Sequence, residues 1–446
     1  MRFSSAKESP SVSWWHIRRL WCVLFAGYCL RGALYFGGWH TTLRNVPPFS
    51  MLLSTPINSY LSLQEGYFLY KNALSPYSGD IYHQPPLLIL PLHFCSLAGN
   101  ASTFYFHFLF LIDCCTACIL VNIIRTITFR KDKMAFLKGV SIRDPIFLAS
   151  LYFVHPFTIS ANAALSNHNI VHCTIAFAIL AALRSDKLYW RSCFASSIAM
   201  LAYLSPLELP IYGVSLIFLS FSYRNKYFLA DPSISVLLRI FFKSLFWLFV
   251  CVFSSVILYV ASYVLMDYSW DFIDGCYLFQ VEMRDLTPNV GLHWYINTLV
   301  LADYWILFRF VLLINTVFHA LPLFLKLYNA PFVYSLICIA MALLFQSYPT
   351  VADSSFLLFL CNTFSGLKFD GILAKLVIAS TTCVGFIAIS IKDWLISNTW
   401  NANPAFSMMM AYQVVTSGLI LALFYSVLHA LKSTKDQTPS FDKKVN

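Results

Sequence analysis

Long apolar blocks separated by short polar punctuation recur from one end of this chain to the other, the pattern of helices that cross a bilayer. Blocks of a length suited to about 30 Å of hydrocarbon fall at 20–38, 103–124, 145–162, 167–183, 190–204, 207–222, 241–265, 300–325, 330–346, 352–366, 373–391 and 406–431. They predict an all-α polytopic membrane protein of about twelve transmembrane helices. One membrane domain covers 1–431, and a polar cytoplasmic tail covers 432–446. The run Pro86 to Leu97 is apolar but short and carries Pro91, and counting it as a span would put the following basic cluster on the wrong side. It reads as a re-entrant or interfacial helix.

The polar segments between spans gather into non-cytoplasmic loops at 39–102, 266–299, 347–353 and 392–405. The first contains the most polar island of the chain, Glu65 to Leu90. Thr55-Pro56 predicts a helix start, with a capping hydroxyl and a proline at the first helical position. Ile57, Tyr60, Leu61 and Phe68 then fall on one face with Ser59, Ser62 and Glu65 opposite, which predicts a helix lying on the membrane surface.

Composition excludes a separate soluble domain: of 446 residues 59% are hydrophobic and only 11% charged. The formal net charge of +10 is not a nucleic-acid footprint, because the basic residues sit between spans and report orientation. Arg125, Arg130, Lys131, Lys133, Lys138, Arg143, Arg184, Lys187 and Arg191 fall on one side, and Arg44, Lys71, Arg284 and Lys392 on the other. Both termini are therefore expected in the cytoplasm. The first apolar run follows Arg18 and Arg19 and reads as a retained signal anchor.

Candidate chemistry is sparse. Nearly all of the thirteen cysteines lie inside apolar runs and read as small buried hydrophobes, with Cys276 the exception, open to an intermolecular bridge. His168 and His172 share a helical face, but no glutamate follows His168 and no third ligand is evident, so no metal or other cofactor is expected. Asn167, His168 and Asn169 are better suited to a polar opening at a span end. Nothing has the spacing of a hydrolase triad. Arg31, Asp113, Glu208, Asp303 and Arg309 fall within spans, where pairing or snorkelling is the first expectation and contact with a charged lipid head group the second. Asn401 and Asn403, just before the last span, offer convergent amides for sugar or phosphate, or an Asn-Pro turn. Asn100-Ala101-Ser102 is a glycosylation sequon.

Three segments resemble a known family. Ser75 to Leu88 (SPYSGD-x-YHQPPLL), Asp285 to Tyr295 (DLTPNVGLHWY) and Ser347 to Asp353 (SYPTVAD) are similar, in order, spacing and surrounding spans, to the U subunits of the glycosylphosphatidylinositol (GPI) transamidase, the PIG-U family. The resemblance implies a non-catalytic subunit of the endoplasmic-reticulum complex that joins proteins to a GPI lipid. The implied partners are the other subunits, including a caspase-like catalytic one, the GPI lipid and the membrane. The implied motif residues are Ser75, Pro76, Tyr77, Asp80, His83, Asp285 and Asn289; the implied lipid contacts are Asn401, Asn403, Tyr348 and Asp353. The terminal Lys443 and Lys444 resemble a dilysine retrieval signal.

The family in turn resembles the multi-span GT-C mannosyltransferases that use dolichol-phosphate sugars, so the alternative expectation is an active mannosyltransferase of GPI assembly. Those enzymes keep an acidic residue in the first lumenal loop, whereas no Asp or Glu occurs here from Gly37 to Gln64. Sugar transfer needs a general base near the acceptor hydroxyl. A transferase-like scaffold without the chemistry is the expectation that follows.

Overall fold

A backbone surrounded by hydrocarbon must satisfy its own hydrogen bonds, so apolar runs of this length fold as helices. The computed structural model bears this out over the residues it describes, 14–129, 141–224, 234–366 and 370–436. Among them the only strands are Ser141–Ile142 and Phe364–Ser365, an antiparallel pair. Lys443 and Lys444 lie outside the described residues, as do Arg130, Lys131, Lys133 and Lys138.

Among the described residues five helices are long and apolar enough to cross a membrane: Ala101–Phe129, Leu245–Leu265, Trp305–Leu327, Gly371–Leu395 and Ala402–Lys432. Two bent pairs add candidates, Ile17–Phe36 turning by 77° into Trp39–Asn45 and Pro145–Phe153 turning by 47° into Pro156–Ala163. The first bend passes through Gly38 in the left-handed region, φ +84°, a conformation glycine adopts without strain. At the second, the His155 side chain accepts from Phe157 N, and Pro156 opens the new helix. The described residues thus hold five to seven candidate spans by length and composition, against the twelve expected from sequence. Other apolar runs form shorter helices, among them Pro86–Leu97, His168–Leu183, Leu188–Leu204, Leu209–Ser222 and Pro331–Phe345.

Three sequence expectations are corrected. The run 352–366 is a helix of nine residues, Asp353–Cys361, with eight of them buried. Flanking chain encloses it, and the helix is shorter than the run that predicted it. The helix expected from Thr55-Pro56 begins at Tyr60, because Asn58 Oδ1 accepts from Thr55 N at 2.8 Å and closes a turn there. Its inward face carries Tyr60, Leu63 and Gly66, while Leu61 and Phe68 are exposed. Tyr82 lies against Gly66, where a Cβ would come within 2.5 Å of the ring, so the motif loop chooses the buried face. Asp303 sits exposed in a turn ahead of the helix Trp305–Leu327.

The charge pairing expected for Arg31 and Asp113 is present. Arg31 donates to Asp113 Oδ2 at 3.2 Å, both side chains being fully buried. Tyr152 donates to Asp113 Oδ1 at 3.1 Å, and the guanidinium lies 4.3 Å from the Phe153 ring centre. Three helices are joined at this point. Arg309 lies against the Trp305 ring.

All thirteen cysteines are free thiols: Cys276, Cys338 and Cys361 are buried, Cys22, Cys29 and Cys115 exposed, and the others half-buried. Cys276 was the candidate for an intermolecular bridge; its burial in the loop 266–299, with Gln280 donating to its sulfur, closes that route.

A large apolar core runs through Pro331–Phe345 and its neighbours Ala101–Phe129, His168–Leu183, Leu209–Arg224 and Asp353–Cys361. Two smaller clusters lie beneath the polar segments. One, around Tyr60, Tyr82, Tyr105 and Phe272, supports the first motif; the other, around Leu52, Val290, Trp294, Val351 and Tyr412, supports the other two.

Candidate functional site

The three motif segments, far apart in sequence, meet. In the first, Ser75 is half-buried, and its hydroxyl donates to Asp271 Oδ2 at 3.2 Å. Pro76 is buried beside it, and Asp80 is exposed. Tyr77 donates to the Gln84 carbonyl at 2.6 Å, and its ring occupies the space that a Cβ on Gly275 would need. His83 Nδ1 bonds the Gly275 carbonyl at 2.8 Å, and its ring lies 3.5 Å from Phe279 at an interplanar angle of 7°. Phe279 stacks in turn on Tyr348 of the third motif.

Tyr348 carries the chain of contacts onward, donating to the Asp285 carbonyl of the second motif at 3.1 Å. Asp285 Oδ1 accepts from Thr287 N at 2.7 Å, and buried Asn289 accepts from Gly291 N at 2.8 Å. These two side chains shape their own loop. Pro349 lies so close to Gly291 that a Cβ there would meet it at 2.8 Å.

Asp353 closes the third motif. Its Oδ2 accepts from Thr350 N at 2.7 Å and from Gln346 Nε2 at 2.7 Å, and its Oδ1 lies 2.8 Å from His172 Nε2. The bond back to Thr350 closes the turn that leads into the helix Asp353–Cys361.

Around this junction lies a cavity of about 50 Å³, with Asn167, His168, Glu208, Ser347, Tyr348 and Asp353 in its wall. That is room for a few water molecules. His168 Nε2 and the Ser347 hydroxyl are buried without a protein partner. Asn167 and His168 thus line a small cavity, and Asn169 turns away to donate to the Leu109 carbonyl at 3.0 Å.

Sequence reasoning passed over Gln84. It is fully buried, donates to the Ser59 carbonyl at 2.6 Å and accepts from Asn167 Nδ2 at 2.7 Å. Tyr105 donates to Asn167 Oδ1. The available signal was an amide just before Pro85-Pro86, where the backbone cannot continue a helix and the side chain must find partners at a distance.

Asn401 and Asn403 do not reach the cavity. Asn401 Oδ1 accepts from Asn403 N at 3.0 Å and so caps the last helix, which starts at Ala402. Tyr295 of the second motif donates to Asn403 Oδ1 and stacks on Phe406, with ring centres 4.0 Å apart. Both asparagines remain exposed. Asn100 likewise caps a helix, accepting from Ser102 Oγ and Thr103 N.

Asp274 and His293 are among the loop groups outside the candidate spans with shifted acidities. Arg284 bonds Asp274 at 2.7 and 2.8 Å and holds its carboxyl below the ordinary range. Burial lowers His293 to about 4, against the opposing bond to the Phe345 carbonyl.

Among the described residues, His168, His172 and Asp353 do not form a hydrolase triad. Ser166 Oγ lies 3.4 Å from His168 Nδ1, while the carboxylate of Asp353 bonds a different histidine, His172. A triad needs the same imidazole to make both contacts. Among the described residues no three potential ligands are grouped for a metal.

A family model for GPI transamidase subunit PIG-U matches residues 25–412. The human GPI-anchor transamidase component PIGU is 28% identical over 399 residues, covering 84% of this chain and 86% of that one. The GPI transamidase component GAB1 homolog of Schizosaccharomyces pombe is 26% identical, covering 84% of each chain. GAB1 of Saccharomyces cerevisiae, also a GPI transamidase component, is 25% identical, covering 89% and 91%. These names leave the mannosyltransferase reading without support. With the match running over most of its length, and with the three motifs joined in one structure, the chain belongs to the GPI transamidase subunit PIG-U family.

Proposed function

We propose that this chain is a non-catalytic subunit of an endoplasmic-reticulum GPI transamidase complex, binding the GPI lipid and organising its neighbours while a caspase-like partner supplies the nucleophile. The observation that carries the reading is the convergence of all three motifs on one polar junction whose side chains are spent on one another. Such a site is built to hold a shape. In this reading the shorter apolar helices also enter the bilayer, giving a GT-C-like bundle of about twelve spans. The termini are cytoplasmic, the motif loops lumenal, and Lys443 and Lys444 serve retrieval.

Of the four candidate lipid contacts, Tyr348 is buried and Asp353 is saturated with internal bonds, so they position the junction. Asn401 and Asn403 are exposed beside Trp400, which is 48% exposed, and these amides make the direct contact with glycan or phosphate. In an intact complex, Asn401→Ala with Asn403→Ala is expected to lower crosslinking to a photoreactive GPI lipid about tenfold, the scale of one or two lost charge-assisted hydrogen bonds. Retention of the other subunits on affinity purification checks that the complex is whole. Unchanged crosslinking and unchanged formation of GPI-linked protein would remove the lipid-contact assignment.

A further inference from the structure

Two helices of bilayer length stand almost bare: Leu245–Leu265 and Trp305–Leu327 each bury only 6% of their apolar span. Their exposed surfaces differ in chemistry. The first presents Phe246, Phe249, Val252, Phe253, Val256 and Val260, which hydrocarbon satisfies. The second carries Phe308, Val311, Asn315 and His319 on one stripe at helical spacing, all exposed.

Counted from Trp305, Asn315 lies about 15 Å and His319 about 21 Å along a helix of about 35 Å. Both therefore sit near the middle of a bilayer. His319 Nδ1 bonds the Asn315 carbonyl at 2.7 Å and is the donor there, which leaves Nε2 as an acceptor. Pro322, inside the same helix, withholds an N–H from the Phe318 carbonyl and adds a further acceptor nearby. Amide and imidazole groups at this depth face protein, because lipid tails offer them no hydrogen bond.

We infer that this stripe is the docking face for a transmembrane helix of another subunit, one whose hydroxyl or amide side chain donates to His319 Nε2 and pairs with Asn315. The inference rests on the chain's being one subunit of a membrane complex, and is separate from where the lipid binds. The bare helix Leu245–Leu265 is the internal contrast, apolar throughout its exposed face and suited to lipid.

The test is photo-crosslinking in native membranes, with benzoyl-phenylalanine replacing Asn315, His319 or, as the control, Phe253 in the full chain. Substitution at Asn315 or His319 gives an adduct with a different protein subunit, at a yield at least about fivefold above the Phe253 control. Lipid adducts alone, or an adduct with a second copy of this chain, overturn the inference. In the second arm, Asn315→Leu with His319→Leu lowers retention of that subunit in mild detergent by about fivefold to tenfold, the scale of two interhelical hydrogen bonds in a bilayer. Leucine suits lipid better than either residue it replaces, so unchanged retention marks a lipid-facing stripe and also overturns it. An unaltered thermal midpoint of the isolated chain separates lost docking from misfolding. Failure of the wild-type chain to co-purify with any other subunit tells against the proposed function instead.

Discussion

Gln84 illustrates what one buried amide does when its partners come from two distant parts of the chain. Removing it in Gln84→Ala leaves the Ser59 carbonyl and Asn167 Nδ2 without their bonds inside a closed junction. A destabilisation of about 2–3 kcal/mol is expected, read as a lower thermal midpoint of the detergent-solubilised chain. Asp80→Ala, at an exposed position of the same motif, is expected to change it little. His293 provides a pH signature. Its folded value of about 4 lies below the ordinary 6.5 of an unfolded histidine, so between these values the unfolded chain binds the extra proton. Stability is therefore full above about pH 6.5 and falls as pH drops toward 4, by about 2 kcal/mol at pH 5. Thermal midpoints from pH 7.5 to 5 check this, and His293→Gln flattens the dependence. Gln84 was visible in the sequence as a residue but not as a hub, because its partners Ser59 and Asn167 are brought to it by packing. The depression of His293 was invisible for the same reason: burial is a property of its neighbours.

At the scale of elements, the pair formed by Arg31 and Asp113 fastens the helix Trp14–Phe36 to Ala101–Phe129, with Tyr152 bringing in Pro145–Phe153. Removing one partner leaves an uncompensated buried charge. Arg31→Leu alone is expected to destabilise the chain by about 3–5 kcal/mol, and adding Asp113→Leu to restore most of that loss. A double-mutant cycle on thermal or chemical unfolding measures it. Helix existence was legible from the apolar runs, and pairing of Arg31 with a carboxylate was the natural expectation for charge in lipid. Lengths were less legible. The run at 352–366 predicted a longer helix than forms, because hydropathy reports only dislike of water and does not mark where a helix stops; nine residues are helical, enclosed by protein. The start of Tyr60–Lys71 was misplaced because Thr55-Pro56 has the chemistry of a cap, and Asn58 uses it for a turn instead.

For the whole molecule, the informative result is that three segments recognisable one by one form a single junction. His83 stacks on Phe279, Phe279 on Tyr348, and Tyr348 bonds Asp285, while Asn403 is tied to the second motif through Tyr295. By itself the sequence determined the helical membrane class and the family, and showed which polar side chains its motifs carry, since hydrophobic run length, punctuation by proline and motif spelling are local properties. The tertiary structure alone decided which of those polar groups remain free. Tyr348 and Asp353 read in the sequence as available to a ligand, yet they are consumed inside the junction, whereas Asn401 and Asn403 are exposed with one amide serving as a cap. It also distinguished two bare helices that both pass as spans by hydropathy, because only placement shows that Asn315 and His319 are exposed. The physical reason is common to both cases: a side chain's availability is set by what packs over it, and the packing partners lie in distant parts of the chain.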